Sequence, residues 1–231
     1  MDVSRIPALA WEYRYVFLSG AGITISLTVI SMLIAMVAGL GFCLCSMSQN
    51  RLIRWPCIAF VEFFRNTPIL VLVVWVHFAL PDLIGIKFVA YVSSIIALAF
   101  QSTGYLSEEY RAGIESIDRG QFDGARALGM TYPYLMRRII IPQALMKLAP
   151  ALLNQFVLCF KSTAVVSVIA VPDIMYHANV IVNETFLSMQ IYTIAALMYF
   201  LLVFAVSAGA RRLSSSLFKS QPTGDWRSAM A

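Results

Sequence analysis

The sequence predicts an all-α polytopic membrane protein with five transmembrane helices, and three observations lead there. Apolar runs of about 20 residues recur along the 231-residue chain, the length a helix needs to cross a hydrocarbon core roughly 30 Å thick. Only 13% of the residues are charged while 60% are hydrophobic, against about 25% charged in a soluble domain. Twelve of the 17 Lys and Arg residues fall in alternate polar segments, two connections between the runs and the tail, as they do when those segments share one side of a bilayer. A closed barrel, the other structure that satisfies its own backbone in lipid, requires alternating segments of roughly ten residues, half the length of these runs.

Residues 1–18 hold Pro7, Trp11, Glu12, Arg14 and several aromatics and read as an extracytoplasmic, interfacial lead-in. The apolar run that follows is too long for a cleaved signal peptide and lacks a small-residue cleavage pattern. The transmembrane domain covers residues 19–212. Its first span is placed at 20–45, and the link after it carries Arg51 and Arg54. The second span, 56–80, holds Glu62, Arg65 and Asn66 in its first half, and Pro81 and Asp82 are expected to turn the chain. The third span is 88–107, and residues 108–149 form a long polar insert. The fourth, 150–171, is interrupted by Asn154, Gln155 and Lys161. Pro172 and Asp173 open a polar connection to the fifth span, 191–210, which Arg211 and Arg212 are expected to stop. Residues 213–231 form a basic, serine-rich tail. The Lys and Arg distribution puts the first link, the insert and the C-terminus in the cytoplasm and the N-terminus outside. Sidedness therefore accounts for the net charge of +5 without a nucleic-acid partner.

Charged groups in a span cost about 2.5–3.5 kcal/mol each on insertion scales, so they face a cavity or a partner group. Glu62, Arg65 and Asn66 stand at i, i+3, i+4 and share one helix face. Gln101, Tyr105, Glu108 and Glu109 form a stripe on the third span. On the fourth, Asn154 and Lys161 lie seven apart, as do Gln155 and Ser162. Such stripes suit a polar passage in which Arg65 and Lys161 could hold a carboxylate. They equally suit helix-to-helix hydrogen bonding, with Glu62 neutralising Arg65 and Lys161 snorkelling to the interface.

The insert is the longest mid-chain interval unfit for lipid. Residues 121–128 are expected to form a short helix with Asp123 in its first turn, where the helix dipole favours an anion. Gly124, Ala125 and Ala127 would keep one side thin, and Gly129 would close the helix in the left-handed region. Thr131 should cap a second helix with Pro133 near its start. Leu135, Ile139 and Ile141 would face the bilayer, Arg137 and Arg138 the water, and Pro142 would end the unit.

No Gly precedes any Lys in a GxxxxGK(S/T) arrangement, so the chain carries no P-loop of its own. HExxH and GxSxG are also missing, and His77 and His177 stand 100 residues apart. Cys43, Cys45, Cys57 and Cys159 have neither disulfide nor metal spacing and read as packing residues. No catalytic, metal or cofactor site is expected in this chain.

The insert resembles the cytoplasmic EAA loop of bacterial ABC-transporter permeases, whose pattern is EAA, three residues, Gly, nine residues, then I-x-L-P. Asp123, Gly124 and Ala125 stand at the EAA places, Gly129 at the Gly, and Ile139, Ile141 and Pro142 in the closing group. Asp for Glu and Gly for the first Ala depart from the pattern. Residues 64–68 (FRNTP), 109–117 (EYRAGIESI), 120–121, 142–144 and 161–163 (KST) are similar to the polar-amino-acid (histidine/glutamine-type) branch. The resemblance implies the permease fold of type I ABC importers, with a cytoplasmic coupling helix between helices 3 and 4. It implies a second permease chain, identical or homologous, and two ATPase subunits that bind ATP and Mg. It also implies an extracytoplasmic solute-binding protein and an amino-acid cargo crossing the bacterial inner membrane by alternating access. Gln121, Asp123, Gly124, Ala125, Leu128, Gly129, Ile139 and Pro142 would then form the ATPase-coupling surface. Another small cargo, such as an opine or amino-acid derivative, suits the same machinery. An ATPase-independent channel or scaffold subunit is the reading from a different class.

Overall fold

The computed structural model describes residues 3–217, which are helical with short connections and contain no β-strand among the described residues. A short lead-in helix, α1 (Ile6–Glu12), runs almost without a break into α2 (Arg14–Ser46), the first long apolar helix. After a polar link come α3 (Arg51–Asn66), α4 (Ile69–Val74) and α5 (Leu80–Ile84), the last two joined by a π-helical turn at Trp75–Ala79. The chain then forms α6 (Ala90–Glu115), α7 (Arg119–Ala127) and α8 (Tyr132–Leu135). A second π-turn, Met136–Ile140, leads into α9 (Ile141–Ser162), extended by a 3-10 segment at Thr163–Ile169. Finally α10 (Ile174–Thr185) and α11 (Ser188–Leu217) complete the fold. The helices at Arg14–Ser46, Met146–Ile169 and Ser188–Gly209 are long and apolar enough to cross a membrane, and a bent pair, Arg51–Asn66 with Ile69–Ile84, makes a fourth.

The second predicted span is therefore not one straight helix. Its two halves meet at 109°. Pro68 offers no N–H and disfavours helical geometry at the residue before it, and Thr67 accordingly lies extended at φ −85°, ψ 130°. Pro81 and Asp82 do not turn the chain either. Pro81 sits at the start of α5, where a missing N–H costs nothing, and the turn comes at Gly85 with φ +73°. Nor do Arg211 and Arg212 stop the last helix, which runs on to Leu217. Of the expected tail, residues 218–231 lie outside the described residues.

Along α2, small polar residues turn inward and large apolar ones outward. Thr24, Thr28 and Ser31 of α2 are buried, while Ile25, Val29, Leu33 and Val37 are exposed. Where lipid tails are as apolar as leucine, helices associate through close backbone approach and interhelical hydrogen bonds. Gly39 lies so close to α6 that a Cβ there would stand 2.9 Å from Leu106 Cβ and 3.3 Å from the Ser107 nitrogen. Ser31 Oγ donates to the Ile95 carbonyl (3.3 Å), and Tyr91 OH donates to Ser26 Oγ (2.9 Å). Cys43 and Cys159 are buried, and all four cysteines are free.

A smaller core joins the start of α2 to α10 and α11 through Phe17, Ile174, Ala178, Ile181 and Ile191. Asp173, fully buried, caps α10 by accepting the Tyr176 N–H at Oδ1 (2.8 Å). Its other oxygen accepts the Tyr199 hydroxyl of α11 (3.0 Å). The connection expected here as merely polar thus contains a helix and a buried carboxylate that ties it to the last helix.

Candidate functional site

The break between α3 and α4 opens a cavity of about 460 Å³ against α6 and α9. Six residues singled out in the sequence line it: Arg65 and Asn66 from the end of α3, Gln101 and Tyr105 from α6, and Gln155 and Ser162 from α9. Thr67, Ser102 and Cys159 line it too. Sequence reasoning gave them no place in the site: Thr67 stood only within the 64–68 stretch and Cys159 only as a packing residue, and Ser102 passes unremarked in an apolar helix. Glu62, Asn154 and Lys161 do not line it. Asn154 and Lys161 point from α9 to the exposed surface of this chain, one turn either side of the exposed Leu158.

Arg65 does not sit in this wall as a free cation. Its Nη2 donates to both Glu62 oxygens (2.9 and 3.1 Å), and its Nη1 lies 3.5 Å from Glu108 Oε2 on α6. Glu108 also holds Arg111, one turn further along α6. Asn66 Nδ2 donates to the Glu62 carbonyl (2.8 Å) and to its carboxylate (2.7 Å). The stripe on α3 and the stripe on α6 are thus joined by alternating charges, two positive and two negative. Gln101 Nε2 donates to the Thr67 carbonyl (3.1 Å), satisfying one backbone oxygen that the broken helix leaves without its i+4 partner.

α6 runs without interruption from the cavity wall past the expected end of the third span to Glu115. Beyond a three-residue turn stands α7. It starts at Arg119, two residues earlier than expected, so Asp123 falls outside its first turn. Asp118 supplies the N-terminal anion instead, its Oδ1 accepting the Gly120 N–H (2.6 Å), while Asp123 pairs with Arg126 at 3.8 Å. The C-terminus closes in a Schellman motif. Gly129 at φ +72° donates to the Arg126 carbonyl (2.9 Å), and Met130 donates to that of Ala125 (3.1 Å).

Ala125 is buried and Phe122 partly so, and they seat α7 on the rest of the insert. Gln121, Gly124 and Leu128 share an exposed face. No atom lies within 4 Å of a Cβ built at Gly124, and Leu128 is 77% exposed. The thin side is therefore Gly124 and Ala127, with Ala125 turned inward.

Three further expectations for the insert are corrected. Thr131 stands at the start of α8 in extended geometry but makes no side-chain cap hydrogen bond. Leu135 faces inward, 1% exposed, and Ile139 and Ile141 are partly buried against the same core. Pro142 does not end the unit. It occupies the second position of α9, directly after the π-turn Met136–Ile140. The wider π-turn shifts the i−4 carbonyl that would otherwise meet the proline ring, so the helix continues through it. Arg137 and Arg138 are exposed.

A family model described as binding-protein-dependent transport system inner membrane component matches residues 31–219. The chain belongs to that family. The arginine transport system permease protein ArtQ of Bacillus subtilis is 34% identical over 203 residues, which cover 86% of this chain and 93% of ArtQ. A solved amino acid ABC transporter crystallised with histidines superposes with a TM-score of 0.83 at 34% identity, over 89% of this chain and 95% of that one. The inward-facing methionine transporter MetNI shares the fold, with a TM-score of 0.74 at 16% identity over 89% of this chain and 97% of its own. As a permease of this family, the chain is a transport component rather than an enzyme, and ATP hydrolysis lies in separate subunits.

Proposed function

We propose that this chain is the inner-membrane permease of an importer for a polar amino acid, and that the cavity at the α3–α4 break is a station on the path of the cargo. The observation that carries the reading is polar groups on three helices gathered around one hollow in a molecule whose outer surface is lipid-compatible. In a bilayer such groups face a cavity rather than lipid. The names of the relatives support an amino-acid cargo.

Family membership and the surfaces described support the remaining parts of the reading. Five spans are formed by α2, the bent α3–α5 unit, α6, α9 with its 3-10 extension, and α11. α6 falls short of the others in hydropathy because it is enclosed by α2, α3 and α9 and presents little of itself to lipid. The insert and C-terminus are cytoplasmic and the N-terminus is outside, in keeping with the Lys and Arg asymmetry. α7 is the coupling helix, offering Gln121, Gly124 and Leu128 to a groove on an ATPase subunit. Two such subunits hold the ATP and Mg, and an extracytoplasmic binding protein delivers the cargo. The exposed polar stripe of Asn154 and Lys161 is unfit for lipid and is covered by a second permease copy or a homologue around a shared pathway.

Proteoliposomes containing the permease, its ATPase subunits and its binding protein should take up a polar amino acid only when ATP is enclosed. Arg65→Ala should reduce that uptake severalfold without loss of the assembled complex. Unaltered uptake by Arg65→Ala would remove the cavity from the path.

A further inference from the structure

The charge chain across the α3–α6 contact deepens this reading and rests on it. α6 grips the break from both sides, Gln101 holding the Thr67 carbonyl and Glu108 facing Arg65. The two partners of Arg65 are unequal. Glu62, on its own helix, receives Nη2 on both carboxylate oxygens at 2.9 and 3.1 Å, whereas Glu108 lies 3.5 Å from Nη1 and is shared with Arg111. Charge-assisted hydrogen bonds lie near 2.7–2.9 Å, so the interhelical member is the loose one.

The close approach that permits it comes from Gly104. A Cβ there would stand 3.1 Å from the Val61 carbonyl, 3.2 Å from the Arg65 nitrogen and 3.3 Å from Arg65 Cβ. Arg65 lines the cavity and Glu108 does not. Arg65 thus borders the cavity while its guanidinium is held loosely by the helix that leads to α7.

We propose that Glu108 is a positioning residue, a latch that keeps Arg65 attached to α6 until a cargo carboxylate in the cavity takes its place. Glu108 and the carboxylate compete for the same guanidinium Nη1. Occupancy of the cavity then loosens α3 from α6, and α6 carries the change to α7. Glu108 itself does not touch the cargo.

In the reconstituted complex, Glu108→Gln removes the competing charge. The half-saturating cargo concentration should fall about two- to fivefold, the range a partly exposed ion pair supplies. ATP hydrolysis without cargo should rise, so that fewer cargo molecules enter per ATP. Glu62→Gln, which leaves the interhelical contact in place, should not raise cargo-free hydrolysis, and Glu108→Asp should lie between wild type and Glu108→Gln. If Glu108→Gln does not assemble, Glu108→Asp carries the test in the same direction with a smaller shift. Unchanged half-saturation and an unchanged ratio of cargo to ATP in the assembled variant would overturn the latch. So would a Glu62→Gln variant with the same uncoupling. Failure of the wild-type complex to import any amino acid would instead overturn the amino-acid reading beneath it.

Discussion

Single residues in this fold are placed where their ordinary chemistry is suppressed. Asp173 is the clearest case. Burial pushes its carboxyl from 3.8 up to about 6, with the Tyr176 N–H and Tyr199 hydroxyl opposing in part. A raised carboxyl pKa means that the folded chain holds the proton more tightly than the unfolded one between about pH 4 and 6. That contribution is complete below the unfolded value and is lost as the pH rises through about 6. Asp173→Asn is neutral throughout and can still accept the Tyr176 N–H. Melting of the detergent-solubilised protein should therefore lose stability from pH 4 to 6 more steeply in wild type than in Asp173→Asn, and parallel profiles would contradict this assignment. His177, on the same short helix, is shifted down by its own burial, so burial disfavours the charged form of both groups.

At the scale of elements, the fold depends on small residues where helices touch. Gly39 brings α2 into close contact with α6, and two of the three atoms nearest it are backbone, which cannot swing aside. Gly39→Leu should destabilise the solubilised protein by roughly 1–3 kcal/mol, as over-packing does. Gly41→Leu, which meets nothing within 4 Å, should leave melting unchanged. Equal melting of the two variants would show that the α2–α6 contact yields.

The apolar runs made the long helices legible in the sequence, because composition and length alone decide them. Gly129 was legible as a left-handed cap because few other residues adopt that geometry cheaply. Four features were not legible, and each for a physical reason. The bend at Thr67–Pro68 hides inside a run of uniformly apolar residues. The helix α10 hides in a connection whose Pro172 and Asp173 look like a loop but act as a start signal and a cap. The inward turn of Leu135 and Ala125 depends on what packs against them, which periodicity does not reveal. Arg65 was read both as a ligand and as an internally neutralised charge, and the structure places it in the cavity wall with two carboxylates, one of them on another helix.

At the scale of the whole molecule, the cavity and the exposed face of α7 are joined by two routes. One is the unbroken rod of α6. The other runs from α7 through α8 and the π-turn Met136–Ile140 into α9, whose Gln155 and Ser162 line the cavity. A π-turn holds one residue more than the α-turn it replaces, and one residue is about 100° of rotation along a helix. The turn at Met136–Ile140 therefore sets an angular phase between the face that α7 presents below and the face that α9 presents to the hollow above. The wide turn absorbs its extra residue without rotating its flanks, but a second residue inserted after the exposed Arg137 has no wide turn left to absorb it and would twist one face against the other by about 100°. Arg137→Ala keeps the phase and should transport like wild type. Insertion of an alanine after Arg137 should abolish cargo-stimulated ATP hydrolysis even where the complex still assembles. The insert then behaves as a gear with a fixed number of teeth, in which chain length counts independently of composition.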